Sequence, residues 1–330
     1  MDQSVLHQHT FINLLSQEAS SSFSQSTSYV NSQGAGASSS SSATSPDGKT
    51  STSQQSTFVP GATSAGASAS ASASGQGATT TATVFAGDAE DLLLWRQAAS
   101  GQTLLWSMDG YQVSSTLYLE FDLGSGWSTA GTGDFTGDGE LNLLWHNQTT
   151  GDLVISGLLS SDPLVTIAAD PVTDWAIEAT VDFNHDGVTD ILWRNPSTGD
   201  NGIWLMNNQG QAADFLSLPS ARPEAWSILG AGDFNHDGQA DILWQGVNSD
   251  QLYVWIMDNG QYTGQNLTIA TDVDPAWQVT GVGDYNRDGH ADLFWQHSDG
   301  TAGIWLMEGT QQISASLVDV AAVSGWQVAG

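Results

Sequence analysis

Asp182-Phe183-Asn184-His185-Asp186-Gly187-Val188-Thr189-Asp190-Ile191-Leu192-Trp193 is the stretch whose reading decides the fold. It returns as Asp233-Phe234-Asn235-His236-Asp237-Gly238-Gln239-Ala240-Asp241-Ile242-Leu243-Trp244. It returns again as Asp284-Tyr285-Asn286-Arg287-Asp288-Gly289-His290-Ala291-Asp292-Leu293-Phe294-Trp295. A looser copy, Asp134-Phe135-Thr136-Gly137-Asp138-Gly139-Glu140-Leu141-Asn142-Leu143-Leu144-Trp145, precedes these three. The closing tryptophans at 145, 193, 244 and 295 set a period of about fifty residues, the spacing of propellers and arrays.

Each copy is half loop and half strand. The pattern Asp-x-Asn-x-Asp-Gly-x-x-Asp puts short oxygen-bearing side chains on alternate residues of a tight turn. Its glycine permits a backbone conformation that a side chain penalises. Such a turn suits a hard cation that gathers several oxygens. An EF-hand loop would place a bidentate Glu at position twelve. Here position twelve is Trp193, Trp244 or Trp295, and the last acid stands at position nine. The EF-hand reading fails, and a nine-residue loop running directly into a strand replaces it.

The loop followed by Ala-Asp-Ile-Leu-Trp resembles the FG-GAP/VCBS repeat family, whose repeats build β-propeller blades, as in the heads of integrin α-subunits. The resemblance covers residues 81–330 and recurs in register. It implies calcium, held by side chains at loop positions one, three, five and nine and by the carbonyl at seven. The implied ligands are Asp182, Asn184, Asp186, Val188 and Asp190; Asp233, Asn235, Asp237, Gln239 and Asp241; and Asp284, Asn286, Asp288, His290 and Asp292. The loose copy gives Asp134, Thr136, Asp138, Glu140 and Asn142, a weaker site because Thr136 and Asn142 replace the usual side chains. Aligned on Trp95, the first unit reads Val84, Ala86, Asp88, Glu90 and Leu92, and has lost its metal. Three strong calcium sites and one weaker are therefore expected.

The chain has 330 residues, 36 acids and five bases, for a formal charge of −31. A surface that acidic repels phosphate backbones, which excludes nucleic acid as a partner class. With no cysteine, there are no disulfides, thiolate metal sites or cysteine nucleophiles. No run reaches the eighteen or so apolar residues of a membrane span. Met1 to Ser16 carry no Lys or Arg, and His7-Gln8-His9 splits their apolar residues, a poor secretory signal. From Glu18 to Thr80 the chain is mostly Ser, Ala, Gly, Thr and Gln. That composition cannot bury enough apolar surface to offset ordering entropy, so residues 1–80 are expected to form a disordered tether.

From Thr81 onward three landmarks recur. A strand opens each unit at Trp127, Trp175, Trp226 or Trp277; the post-loop strand ends at Trp95, Trp145, Trp193, Trp244 or Trp295; a third strand centres on Trp106, Trp204, Trp255 or Trp305. Ile155 takes the third tryptophan's place in the second unit. All fourteen tryptophans fall on these landmarks or their terminal remnant, so they read as blade-to-blade core rather than as sugar platforms. With a weaker fourth strand, each period has the strand count of a propeller blade. The first unit lacks its opening strand, while Trp326-Gln327-Val328-Ala329-Gly330 is an opening strand with no loop after it. The C-terminus is therefore expected to complete the first blade, closing the ring and removing both open edges. Arg96, His146, Arg194 and His297, beside the post-loop tryptophans, read as solvated strand ends.

The sequence thus predicts an all-β, five-bladed β-propeller of four-stranded blades, monomeric and closed by its C-terminal strand. It shows no metalloprotease histidine pair, nucleophile elbow or phosphate-binding glycine loop, so catalysis is not expected. The expected role is a calcium-binding module for binding or adhesion, outside the cell or on its surface. Its partners would be glycans or surface proteins, and a lectin is the sharpest version, since the resemblance includes sugar-binding members. A purely structural, calcium-rigidified surface or matrix protein is the alternative, and an enzyme on a propeller scaffold is the third reading.

Overall fold

The structure, a computed structural model, describes residues 11–328 except 18–19, 32–33, 45–49, 61–64, 75–76, 87–90, 98–101, 120–122, 124–125, 159–163, 168–173, 248–250, 270–275 and 320–325. Side chains are described from Asp91 onward. Two compact units are distinguished, the strands before residue 88 and the repeats that begin at Ala89.

In the first unit, β1 (Phe11–Gln17), β2 (Ser20–Asn31), β3 (Gly34–Thr44) and β4 (Thr50–Pro60) form a four-stranded antiparallel sheet in chain order. A hairpin of β5 (Ala65–Ser74) and β6 (Gly77–Ala86) follows. The tether that the sequence predicts over residues 1–80 spans β1 to β5 and the start of β6. Val84 and Ala86, aligned with loop positions in the other units, lie on β6 and pair with Ala67 and Ala65. Asp88 and Glu90 of that alignment lie outside the described residues.

The second unit is a five-bladed β-propeller of four-stranded antiparallel blades. Blade I contains β7 (Leu92–Gln97), β8 (Thr103–Asp109) and β9 (Gln112–Leu119). Blade II is β10 (Trp127–Gly133), β11 (Asn142–Asn147), β12 (Leu153–Gly157) and β13 (Val165–Thr166). Blade III is β14 (Ala176–Val181), β15 (Asp190–Arg194), β16 (Asn201–Met206) and β17 (Ala212–Leu218). Blade IV is β18 (Trp226–Gly232), β19 (Asp241–Gly246), β20 (Leu252–Asp258) and β21 (Gln261–Ile269). Blade V is β22 (Trp277–Gly283), β23 (Asp292–His297), β24 (Ala302–Glu308) and β25 (Gln311–Val318). The last strand, β26 (Trp326–Val328), joins blade I in the order β26-β7-β8-β9. Its register is Trp326 to Gln97, Gln327 to Arg96 and Val328 to Trp95, as the incomplete first and last units require. Among the described residues there is no α-helix.

The core is a series of layers between blades. Phe135, Leu144 and Ile155 of blade II pack with Ile191, Trp193 and Met206 of blade III. Phe183, Leu192 and Ile203 pack in turn with Ile242, Trp244 and Met257, and the same scheme joins blades IV and V. Tyr285, Phe294 and Ile304 of blade V share a layer with Trp95, Trp106 and Trp326, so the closing strand is anchored in a core of its own. Trp95 meets Phe294 edge-on at 5.7 Å. The post-loop tryptophans are buried as expected, while Trp127, Trp175, Trp204, Trp226, Trp255, Trp277 and Trp305 are half-buried.

Two local features correct the sequence reading. Each innermost strand from β10 to β22 carries a bulge, at Ala130, Glu178, Leu229 and Thr280. The bulges turn these strands around a small axial channel of about 90 Å³, lined by residues of all five blades. Gly131 is required there, because a Cβ at its position would overlap the Thr180 side chain of the next blade. In blade II, Ile155 aligns with Ile203 rather than with Trp204. Ser156 takes the tryptophan's register, and its hydroxyl accepts the Trp145 Nε1–H at 2.9 Å.

Candidate functional site

The four loops between first and second strands fold alike, each with two left-handed residues. Position six is Gly139, Gly187, Gly238 or Gly289, with φ between 80° and 87°. Position four is also left-handed, at Gly137 (67°), His185 (57°), His236 (61°) and Arg287 (60°). For a side chain that conformation carries a cost, and the sequence alone gave no sign of it.

The first Asp of each full loop folds the turn around itself. The Asp182 carboxylate accepts the N–H groups of Asp186 at 3.2 Å and Gly187 at 2.8 Å. Asp233 accepts those of Asn235, His236, Asp237 and Gly238, at 2.6–3.2 Å. Asp284 accepts Asp288 and Gly289, at 3.0 and 2.8 Å. Positions three and five meet in each loop: the amide of Asn184, Asn235 or Asn286 donates to Asp186, Asp237 or Asp288 at 2.9 Å.

Position nine is where the loop is pinned to the blade. Asp190, Asp241 and Asp292 have no exposed surface. Each takes one N–H from loop position two, at Phe183, Phe234 or Tyr285, and one from the third strand, at Met206, Met257 or Met307. Burial pushes all three carboxyls up to about 7 against these donors, and the charges at positions one and five push the same way. Burial likewise raises Asp284. The three carboxylates of a loop are thus within electrostatic reach of one another.

At position seven the side chains are engaged elsewhere. Val188 is buried in the core. Gln239 reaches Asp258 and accepts the Asn259 N–H. His290 accepts the Gly309 N–H at 3.3 Å and lies against His236, with ring centroids 4.3 Å apart.

The loose copy has the same frame with fewer charges. Asp134 accepts the N–H groups of Thr136, Gly137 and Asp138, at 3.2, 2.7 and 3.2 Å. Asn142 accepts the Phe135 N–H at 3.0 Å, as position nine does elsewhere. Glu140 stands at position seven.

Among the described residues no three acidic or imidazole side chains form a ready-made metal cage. In the expected sets an Asn side chain and a main-chain carbonyl supply part of the shell. All donors expected in the full loops are oxygens, three from carboxylates, which is the chemistry a hard cation takes. The donor set fits calcium. Asp182, Asn184, Asp186, the Val188 carbonyl and Asp190, with their two sets of counterparts, would hold it.

Several residues that the sequence reading placed in solvent are contacts between blades. Arg194 is buried, which lowers its pKa. It donates to Asn201 Oδ1 at 2.7 Å and to the carbonyls of Ala221 and Trp226, at 3.0 and 2.8 Å. It also lies 5.1 Å from the ring centroid of Trp244. Arg96 donates to the carbonyl of Trp127, the same landmark in the next blade. His146 is buried edge-on to Trp193, and burial lowers its pKa. At the loops, His236 Nδ1 meets the Gly289 carbonyl oxygen at 2.9 Å, and Arg287 pairs with buried Asp91 of blade I. The signal was present in the repeat, since Arg96, His146 and Arg194 each follow a post-loop tryptophan and meet a tryptophan landmark of the next blade, but that landmark lies thirty or more residues away.

No helix among the described residues is long and apolar enough to cross a membrane. No curated protein matches the chain. Residues 182–244, from the first loop residue of blade III to the post-loop tryptophan of blade IV, match the family model described as an FG-GAP-like repeat, the family whose loops they resemble.

Proposed function

We propose that this propeller is a non-enzymatic binding or adhesion module, stiffened by calcium in three full loops and one weaker one. It would work outside the cell or at its surface, with glycans as its partners. The fold and the FG-GAP-like repeat support a binding module. Calcium is supported by one observation: each full loop carries carboxylates at positions one, five and nine, and the innermost is raised first by its burial and further by the charges of the other two. A divalent cation would relieve that repulsion and couple its binding to loop order. The repeat scaffold spends its acid clusters on these loops, which leaves binding on its faces as the function it can offer. Calorimetric titration with calcium, and melting curves with and without excess chelator, test the reading. Three or four calcium ions per chain and a lower melting temperature in chelator are expected. An unchanged melting curve would remove calcium from the proposal, and a glycan array decides the partner class.

A further inference from the structure

The blades differ in one place that the repeat itself defines. On one face of each blade, the opening tryptophan and the post-loop tryptophan flank a position on the third strand. In blade I that position is Leu104, and Tyr118 lies 6.3 Å from Trp326. In blade II it is Val154. In blade IV it is Tyr253, whose ring lies 5.1 Å from Trp226. Blade III has Gly202 there, and the Phe215 ring from the outer strand lies over it, 6.4 Å from Trp175. Blade V also has a glycine, Gly303, but the residue in register with Phe215 is Ala315. No aromatic ring covers the glycine among the described residues; Leu317 Cδ2 stands 3.7 Å from where its Cβ would be, and beside it a slot of about 280 Å³ opens between Trp277, Trp295 and Trp305.

We propose that this slot binds one neutral hexopyranose residue of a glycan, an inference that rests on the glycan-binding reading above. Its size, just below the range of about 300–1,000 Å³ for small-molecule pockets, suits a single ring. The Phe215 ring in blade III shows that a six-membered ring fits between the same glycine and the same opening tryptophan. Half-buried Trp277 and Trp305 and the buried Trp295 line the slot and give it an apolar wall suited to the C–H face of a pyranose. The mouth is open to water, with Leu317 at its edge 65 % exposed. Polar groups stand near the slot: Ser316 is part of the lining, and His297, its ring 5.1 Å from that of the lining residue Trp277, is paired with Asp299 at 2.8 Å. An aromatic side chain of a protein partner would leave these groups unanswered. The formal charge of −31 disfavours uronic acids, sialic acids and phosphorylated sugars.

The test is calorimetric titration of the full chain with methyl glycosides of neutral hexoses, alongside their uronic acid counterparts and an N-acetylated phenylalanine amide. One site for a neutral glycoside is expected. Ala315→Phe, which copies blade III, should weaken it about tenfold or more while leaving the melting curve in place. The reverse change, Phe215→Ala, opens the same slot in blade III and should raise the stoichiometry from one to two. Glycan binding that survives Ala315→Phe unchanged would overturn the slot and leave the glycan-binding function standing. No saccharide binding by the parent chain overturns both, and tighter binding of the phenylalanine amide replaces the sugar with a protein partner.

Discussion

Blade V meets blade I differently from the way the other blades meet, and the difference lies in how a buried carboxylate is compensated. Asp190, Asp241 and Asp292 are buried at position nine, each with two main-chain N–H donors and, among the described residues, no ion-pair partner. At the ring closure the buried acid is Asp91, and Arg287, reaching over from the loop of blade V, donates to it from Nε at 2.8 Å and from Nη2. Arg287 is one of only five basic residues in the chain. It stands at the loop position where His236 reaches only a carbonyl. At this junction the chain supplies a cation of its own, whereas at the full loops the positive charge is the calcium proposed above. Blade I therefore needs no ion to be joined to its neighbour.

The largest effect should come from removing that junction altogether. Deleting residues 326–330 strips β26 from β7, exposes a strand edge and removes the buried Trp326. Loss of a buried tryptophan alone typically costs about 3–5 kcal/mol, a large share of a marginal stability. The truncated chain is expected to aggregate or to melt far below the parent in a thermal scan. Deleting residues 1–75, which removes the tether expected from sequence, should leave the propeller's melting temperature where it was. A C-terminal deletion that melts normally would break the comparison, because closure would then carry no weight.

Arg287→Ala is the next step down, and it separates the two kinds of compensation. It leaves Asp91 buried without its guanidinium, and breaking a buried pair costs about 3–5 kcal/mol, less here because Arg287 is partly exposed. The loss should be the same with calcium and with chelator, and Asp91→Asn in the same background should recover part of it. Asp237→Ala should behave in the opposite way. It removes one calcium from the titration, and with it the roughly 2.7 kcal/mol that a site gains at a hundredfold excess over Kd, while in chelator it should cost little. Asp88→Ala, in the unit whose metal pattern is lost, should change neither calcium count nor melting. If Arg287→Ala were rescued by calcium, the two junctions would be alike after all.

What the sequence made legible follows the period. The blade count, the strand order and the closing register of Val328 on Trp95 all come from landmarks that repeat about every fifty residues. What it hid are contacts between one period and the next, such as Arg194 on the Trp226 carbonyl or Arg287 on Asp91, which no local pattern encodes. The slot in blade V was hidden for a related reason. Gly303 and Ala315 are ordinary strand residues until the register shows that Ala315 holds, beside Gly303, the position from which Phe215 covers the glycine of blade III. The second left-handed residue in each loop was masked because His185, His236 and Arg287 hold a conformation that glycine usually signals.

Glu178 gives the comparison its smallest and sharpest test, because it is a carboxylate in neither class. It sits at the bulge of β14 and lines the axial channel, where the other described bulge residues are Ala130, Leu229 and Thr280. Burial pushes its carboxyl up to about 7, and the charge of Arg194 pulls it only partly back. An acid whose pKa is higher in the folded chain than in the unfolded one favours folding while protonated. That contribution is whole below about pH 4.5 and is lost as the pH rises through about 7. The parent should therefore lose stability across that window on account of this group, and Glu178→Gln should not. The difference between the two in urea unfolding should grow from near zero at pH 4.5 to on the order of 1–2 kcal/mol at pH 8, softened by water in the channel. Because both chains keep the same loops, calcium cancels from the difference. A gap that stays flat with pH would mean that Glu178 is compensated after all, and that the axial channel, like the junction at Asp91, supplies its own counter-charge.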